Sequence, residues 1–308
     1  MSRLRQRSPF FSGIDTMTPD TASTIASEPP RPRAFSQLDV FSAEAMLGNP
    51  LAVVHDGRGL STERMAAFAR WTNLSETTFL LPPTHPDADY RVRIFTPGGE
   101  LPFAGHPTLG SCHVWLASGG VPRRAGLVIQ ESALGLVRIR RDAGGRLAFA
   151  APPTTFEPVD AALLHRVIEA LGVDPDRVRD ATWLSNGPRP VALLLDSAET
   201  VLSLAPDHAA LKALASVGVV GPHRAGAECG FEVRCFVAPL GIDEDPVTGS
   251  VNADLAQWLI GSDRAPARYV AAQGVALRRA GRVHVERDGE GTWIGGDCSD
   301  CVAGRAAL

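Results

Sequence analysis

Three side chains suited to proton transfer lie at the edges of predicted elements: Glu76, His106 and Asp245. Carboxyl and imidazole groups are common proton donors and acceptors in enzymes. Glu76 falls between a predicted helix and the apolar strand 77–81, where partial desolvation would raise its pKa toward neutrality. Each residue also has a plainer explanation. Glu76 can be a surface or capping residue, His106 a turn or capping residue, and Asp245 the cap of the helix that follows it.

Two similar segments surround His106 and Asp245. Each has an Arg-x-Phe strand end, a proline, a glycine-containing turn and a helix that ends in Trp-Leu, and the segments are 93–116 and 234–259. Gly105-His106 in the first corresponds to Gly249-Ser250 in the second. The N–H groups at a helix start are free to bind a carboxylate or phosphate. The repeat therefore predicts a duplicated domain whose two helix starts face one cleft, with proton donors and acceptors beside a bound carboxylate.

The remaining pattern favours short antiparallel strands around one buried helix in each half, which is an α+β fold. Residues 1–33 are rich in Ser, Thr, Pro and Arg and are expected to form a disordered tail. The first half is predicted over 34–150, completed by the C-terminal strand, and the second over 151–308. The pattern also predicts a strand over 275–278 and a turn around Cys298 and Cys301.

Composition excludes several classes of protein. With a net charge of -4 and no long basic run, the chain has little to attract nucleic acid. No apolar stretch is long enough to span a membrane. The five cysteines form no disulfide framework, which favours a reducing, cytoplasmic location. Cys298 and Cys301 have no second pair nearby, so we expect two plain thiols and no metal site.

Several segments, taken in order, resemble the PhzF-like family of phenazine-biosynthesis isomerases, within the diaminopimelate-epimerase superfamily. The resemblance extends from about Phe35 to the C-terminus. The matching pieces are Gln37-x-Asp-Val-Phe41, Gly48-Asn-Pro-x-Ala-Val53, Asn73-x-Ser-Glu-Thr77, Arg93-Ile-Phe-Thr-Pro97, Phe103-Ala-Gly-His-Pro-Thr108, Ser185-Asn-Gly-Pro188, Glu244-Asp-Pro-Val-Thr-Gly-Ser250 and Gln273-Gly274.

The resemblance implies a diaminopimelate-epimerase-like fold of two pseudo-symmetric halves, each a mainly antiparallel, barrel-like sheet around a central helix. It implies a homodimer and proton transfer without a cofactor. Glu76 would be the general acid/base, and His106 and Asp245 would bind substrate and assist proton movement. Backbone N–H groups at Gly105 and at Gly249-Ser250 would hold the substrate carboxylate. Asn49 is expected to have only a structural, supporting role.

The family's named reaction isomerises trans-2,3-dihydro-3-hydroxyanthranilate by shifting a double bond. Epimerases of the superfamily use two cysteines at the equivalent turns, and none of the five cysteines falls there, which argues against two-thiol racemisation. We therefore expect a cofactor-independent isomerase of a small cyclic or amino-acid-like carboxylic acid. The alternatives are an epimerase or racemase of a similar acid and a non-catalytic protein that binds a small acid.

Overall fold

The computed structural model describes residues 30–185 and 189–308. The first half begins with β1 and ends with β8. Its strands are β1 (Pro32–Val40), β2 (Asn49–Val54), β3 (Glu76–Leu81), β4 (Tyr90–Thr96), β5 (Gly99–Leu101), β6 (Leu127–Ser132), β7 (Gly135–Arg141) and β8 (Leu147–Ala150). Its helices are α1 (Thr62–Thr72) and α2 (Gly105–Ala117).

The second half follows, and a last strand ends the chain. The strands are β9 (Thr155–Glu157), β10 (Val178–Ser185), β11 (Val191–Leu195), β12 (Val217–Pro222), β13 (Phe231–Val237), β14 (Ile242–Asp245), β15 (Arg268–Gln273), β16 (Gly281–Asp288), β17 (Gly291–Gly296) and β18 (Cys298–Ala307). The α-helices are α3 (Ala161–Leu171), α4 (Ala198–Ser203), α5 (His208–Lys212) and α6 (Gly249–Gly261), and short 3-10 helices span Pro175–Arg177, Ala238–Leu240 and Val275–Leu277.

Strand pairing repeats between the halves. In the first, β1–β2 is antiparallel, β2–β3 parallel, β3–β4 and β4–β5 antiparallel, β4–β6 parallel, and β6–β7 and β7–β8 antiparallel. The same series runs from β10 through β17. The closing strands are exchanged, because β18 pairs with β1 and β9 pairs with β10. The predicted α+β fold of two mainly antiparallel, similar halves is confirmed.

A central helix fills each half. Helix α2 contacts strands from β1 to β8, and most of its first eight residues are buried, so it lies inside its sheet. Gly110 lets the helix approach closely, because a Cβ atom there would lie 2.5 Å from Leu51 Cδ2 and 2.9 Å from Val40 Cγ2. Helix α6 packs against β10, β16 and β17 in the second half. Each central helix therefore begins at a position fixed by its surrounding sheet.

Some local predictions are wrong. The strand predicted over 275–278 is a 3-10 helix, entered through Gly274 in the left-handed conformation with φ 95°. Cys298 and Cys301 lie on β18 and not in a turn, and β9 and β14 were not predicted. Pro32 and Arg33, which fell within the predicted tail, belong to β1. The rest of that predicted tail, residues 1–29, and residues 186–188 lie outside the described part of the chain. Within residues 30–185 and 189–308, no helix has the length and apolar character to cross a membrane.

Candidate active site

Glu76 is the first residue of β3, and its position follows from the end of α1. The helix stops at Asn73, which adopts the left-handed conformation with φ 54° and donates its backbone N–H to Ala69. The chain then turns into β3, where Glu76 pairs with Leu51 of the parallel strand β2. The Glu76 side chain keeps 15% of its surface exposed, so it is buried but still reachable from solvent.

Burial raises the pKa of Glu76 to about 8, and the negative charge of Asp245 adds to the rise, while a hydrogen bond from Ser75 opposes it. Within the described part of the chain, Glu76 Oε2 has no hydrogen-bond partner. At neutral pH the carboxyl is therefore mostly protonated. A carboxyl with a pKa near neutrality and an unengaged oxygen can both give and take a proton.

His106 is the second residue of α2 and is 5% exposed. Its Nε2 lies 3.4 Å from Glu76 Oε2, and its Nδ1 lies 3.4 Å from Asn49 Nδ2. Burial lowers the pKa of His106 to about 3, so the ring is neutral at pH 7. His106 Nε2 and Glu76 Oε2 are close enough for an ion pair. Because the imidazole is neutral and the carboxyl mostly protonated at pH 7, the two side chains do not form one. Nε2 has no hydrogen-bond partner among the described residues and is free to engage a ligand.

Asp245 is the last residue of β14, across from Glu76 and His106. Its Oδ1 accepts a hydrogen bond from Asn49 Nδ2 at 3.0 Å, and its Oδ2 accepts one from the Thr248 hydroxyl at 2.6 Å. Burial raises the pKa of Asp245, while these two hydrogen bonds act in the opposite direction. Asn49, at the start of β2, thus joins the half that carries His106 to the half that carries Asp245.

The starts of α2 and α6 touch each other at their glycines. A Cβ atom on Gly249 would lie 3.1 Å from both Gly105 Cα and His106 N, so neither glycine can carry a side chain without moving a helix. Ala104, the residue before α2, has no side-chain oxygen that could cap the helix. Thr248, the residue before α6, donates its hydroxyl hydrogen to Asp245 and does not cap α6. Neither first turn contains an acidic residue.

Two uncapped helix starts therefore converge. Their N–H groups carry partial positive charge, and two such ends repel each other unless an anion lies between them. Ser250, the second residue of α6, is half-buried, and its hydroxyl makes no hydrogen bond to any residue in 30–185 or 189–308. All six residues predicted for the site, Glu76, Gly105, His106, Asp245, Gly249 and Ser250, are thus placed on elements that meet at this junction.

One supporting residue, Gln273, was given no role by the sequence analysis. Gln273, fully buried at the end of β15, donates from Nε2 to the Asp245 carbonyl and the Thr248 hydroxyl. Its Oε1 accepts from Thr248 N and Asn252 Nδ2. Gln273 thereby fixes the turn that carries Asp245. The Gln-Gly pair was visible in the sequence, but nothing local indicated what its amide would contact.

A cavity of about 720 Å³ opens elsewhere, between β7–β8 and β15–β17, and none of the predicted site residues lines it. Its Arg140 is paired with Asp288 at 2.6 Å and Arg268 with Glu286 at 2.5 Å, so much of its positive charge is neutralised. Convergence of unengaged polar groups, and not cavity size, therefore locates the candidate active site. No group of three or more metal-binding side chains occurs within the described ranges 30–185 and 189–308.

Comparison with known proteins identifies the family to which the chain belongs. A family model described as PhzC-PhzF, phenazine biosynthesis-like protein, matches residues 38–307. This chain belongs to the PhzC-PhzF family. A Pseudomonas aeruginosa relative named trans-2,3-dihydro-3-hydroxyanthranilate isomerase is 35% identical over 282 residues, covering 88% of this chain and 98% of the relative. A Schizosaccharomyces pombe relative named antisense-enhancing sequence 1 is 33% identical over 293 residues, covering 89% of this chain and 99% of the relative.

A solved PhzF-family structure from Bacillus anthracis superposes with a TM-score of 0.78 and covers 90% of this chain and 100% of its own, at 20% identity. This likeness confirms the fold. Within the PhzC-PhzF family, relatives of this chain carry isomerase names, and the chain is accordingly an isomerase.

Proposed function

We propose that this chain isomerises a small cyclic or amino-acid-like carboxylic acid by moving one proton between two carbon atoms, without a cofactor. One relative of the chain is named trans-2,3-dihydro-3-hydroxyanthranilate isomerase, and its named reaction is of this kind. The observation that carries the proposal is the position of the Glu76 carboxyl, whose Oε2 has no hydrogen-bond partner among the described residues, beside two converging helix starts that lack caps.

In this proposal the substrate carboxylate binds the N–H groups at Gly105 and Gly249 and the hydroxyl of Ser250. The negative charge then lies where the two helix ends concentrate positive charge. His106 Nε2 donates a hydrogen bond to a polar atom of the substrate. Asp245, held by Asn49 and Thr248, contacts the other side of the ligand.

The proton balance needs one carboxyl only. The ionised form of Glu76 takes a proton from a substrate carbon, the electrons of that C–H bond shift the double bond, and Glu76 returns the proton to a different carbon. No net proton is released, and no oxidant or reductant is required. Because the pKa of Glu76 is about 8, both forms of the carboxyl are accessible near neutral pH.

The five cysteines do not favour the alternative of two-thiol racemisation. Cys235 is the thiol nearest to the site along the sheet, since it pairs with Asp245 across β13 and β14. It is fully buried, and burial raises its pKa to about 12, as it does for Cys112 on α2. A thiolate at either position is therefore scarce near pH 7.

The test is turnover in deuterated water, with trans-2,3-dihydro-3-hydroxyanthranilate and a set of small cyclic amino and hydroxy acids as substrates. The proposal expects a product with a moved double bond, and deuterium at the new carbon only to the extent that the proton held on Glu76 exchanges with solvent before it is returned. Deuterium at the original carbon with inverted configuration would instead establish an epimerase. Binding without any exchange across the whole set would favour a non-catalytic acid-binding protein.

We also propose that the protein is a cytoplasmic homodimer, as family resemblance and the lack of a disulfide framework suggest. Light scattering coupled to size-exclusion chromatography tests the assembly, since the 32.6 kDa chain would give twice that mass. A monomer at micromolar concentration would contradict the homodimer.

A further inference from the structure

The Asn49 side chain has four polar neighbours, which is more than a purely structural contact requires. Its side chain is fully buried, and Nδ2 lies 2.8 Å from the Val247 carbonyl, 3.0 Å from Asp245 Oδ1 and 3.4 Å from His106 Nδ1. Its Oδ1 accepts from the Ser75 hydroxyl at 3.5 Å. An amide nitrogen carries two hydrogens and has no lone pair to accept with, so none of these three neighbours can donate to it. The two hydrogens serve mainly the two nearer oxygens, and the more distant His106 Nδ1 shares in one of them.

The orientation of the amide follows from the same contacts. Exchanging its oxygen and nitrogen would place the oxygen against the Val247 carbonyl and the Asp245 carboxylate, which are both acceptors. Only the orientation with Nδ2 toward these two oxygens pairs donors with acceptors. The atom of the amide that faces His106 Nδ1 is therefore the nitrogen Nδ2, which can donate but cannot accept.

This orientation decides where the His106 proton lies. A neutral imidazole carries one proton, on Nδ1 or on Nε2. A proton on Nδ1 would point at the hydrogens of the Asn49 amide, and Asn49 is the only hydrogen-bond partner that Nδ1 has among the described residues. With Nδ1 as the acceptor, the proton is on Nε2, which faces Glu76 Oε2 at 3.4 Å.

We propose that Asn49 is a positioning residue that holds His106 in the Nε2–H tautomer, so that His106 serves the reaction as a neutral hydrogen-bond donor and not as a base. This inference rests on the proposed function only for the role of His106 in the reaction, because the tautomer itself is argued from the contacts of Asn49. The same amide fixes Asp245, so one residue sets the donor on one side of the site and the acceptor on the other.

The experiment is ¹⁵N NMR of the full chain labelled at histidine, without substrate, from pH 6 to pH 8. The chain contains eight histidines, and the His106 signals are assigned by their loss in His106→Gln. In the wild type, the nitrogen shifts should place the proton on Nε2 throughout this range. In Asn49→Asp, a carboxyl oxygen faces Nδ1 and can accept a hydrogen bond from it, so the Nδ1–H tautomer should predominate.

Asn73→Asp is the matched control, because it makes the same chemical change at an exposed helix end and should leave the wild-type pattern. With a turned-over substrate, Asn49→Asp should lower kcat about 10²- to 10⁴-fold, the usual contribution of a positioned proton donor, with a smaller change in KM. The control for turnover is Glu63→Gln, at an exposed residue in the first turn of α1, which should change neither.

A wild-type spectrum with the proton on Nδ1, or an even mixture of tautomers, would overturn the proposal, and this result does not depend on whether the variant folds. A folded Asn49→Asp protein with an unchanged His106 tautomer would overturn it as well. The tautomer is measured without substrate, so the NMR result does not depend on the isomerase assay. Absence of turnover would leave the tautomer assignment unchanged, and a wrong tautomer assignment would leave any measured turnover unchanged.

Discussion

Replacement of Glu76 by glutamine should change how the stability of the protein depends on pH. In the folded state Glu76 has a pKa of about 8, whereas an unperturbed glutamate has 4.5. Between these values the folded state holds a proton that the unfolded state has released. Folding stability therefore falls as pH rises through this window, by about 1.4 kcal/mol per pH unit for this one group.

Across the whole window the loss is about 5 kcal/mol, a large part of the stability of an ordinary domain. Glutamine resembles the protonated carboxyl in shape and cannot ionise, so Glu76→Gln should avoid the loss. We expect the variant to match the wild type near pH 5 and to become progressively more stable than it up to about pH 8.

The assay is urea unfolding of both proteins from pH 5 to pH 9, with the difference in unfolding free energy plotted against pH. Titrating groups that do not interact with Glu76 cancel in that difference. The control is Glu63→Gln, since Glu63 is exposed in the first turn of α1 and its pKa is lowered, so its difference should stay flat across this range. A flat difference for Glu76→Gln would refute the assignment of a desolvated, protonated carboxyl.

Three further predictions follow from the same geometry. His106→Gln should make the protein less sensitive to acid in urea unfolding between pH 6.5 and pH 3, because the folded wild type keeps this ring neutral while the unfolded chain protonates it; equal acid sensitivity would contradict its burial. Gly110→Ala should lower the unfolding free energy by about 1–3 kcal/mol through overpacking, whereas Gly261→Ala, where a Cβ meets nothing within 4 Å, should cost nothing by the same measurement. Gly249→Ala should separate the helix starts at Gly105 and weaken binding of a carboxylate ligand in calorimetry, and unchanged binding would remove these turns from the anion site.

The duplication could be predicted from the sequence because the same order of local features occurs twice in the chain. Both segments repeat a strand end, a turn and a helix, and both helices begin at the predicted glycines, Gly105 and Gly249. The position of Glu76 between a helix and a strand was predictable in a similar way, because α1 ends shortly before it and an apolar strand follows it. Local patterns of this kind survive folding since they depend on neighbours in the chain.

Contacts between distant residues could not be predicted. Asn49 and Asp245 are 196 positions apart in the chain. Only the packing of the two halves brings Asn49 Nδ2 to 3.0 Å from Asp245 Oδ1. The strand expected over 275–278 has apolar residues typical of a strand, but Gly274 and Arg278 adopt left-handed conformations that strand pairing does not allow. Residues around β14 look like a turn because β14 is short and is held by its pairing with β13.

The central claim is that Glu76 moves the proton while other groups hold the acid. The most direct measurement compares turnover and substrate binding in Glu76→Gln with those of Glu63→Gln and the wild type, once a substrate is found. The account predicts that Glu76→Gln binds substrate with little change in Kd in calorimetry and loses turnover by about 10²-fold or more, while Glu63→Gln behaves as wild type. Turnover at the wild-type rate in a folded Glu76→Gln protein would contradict it.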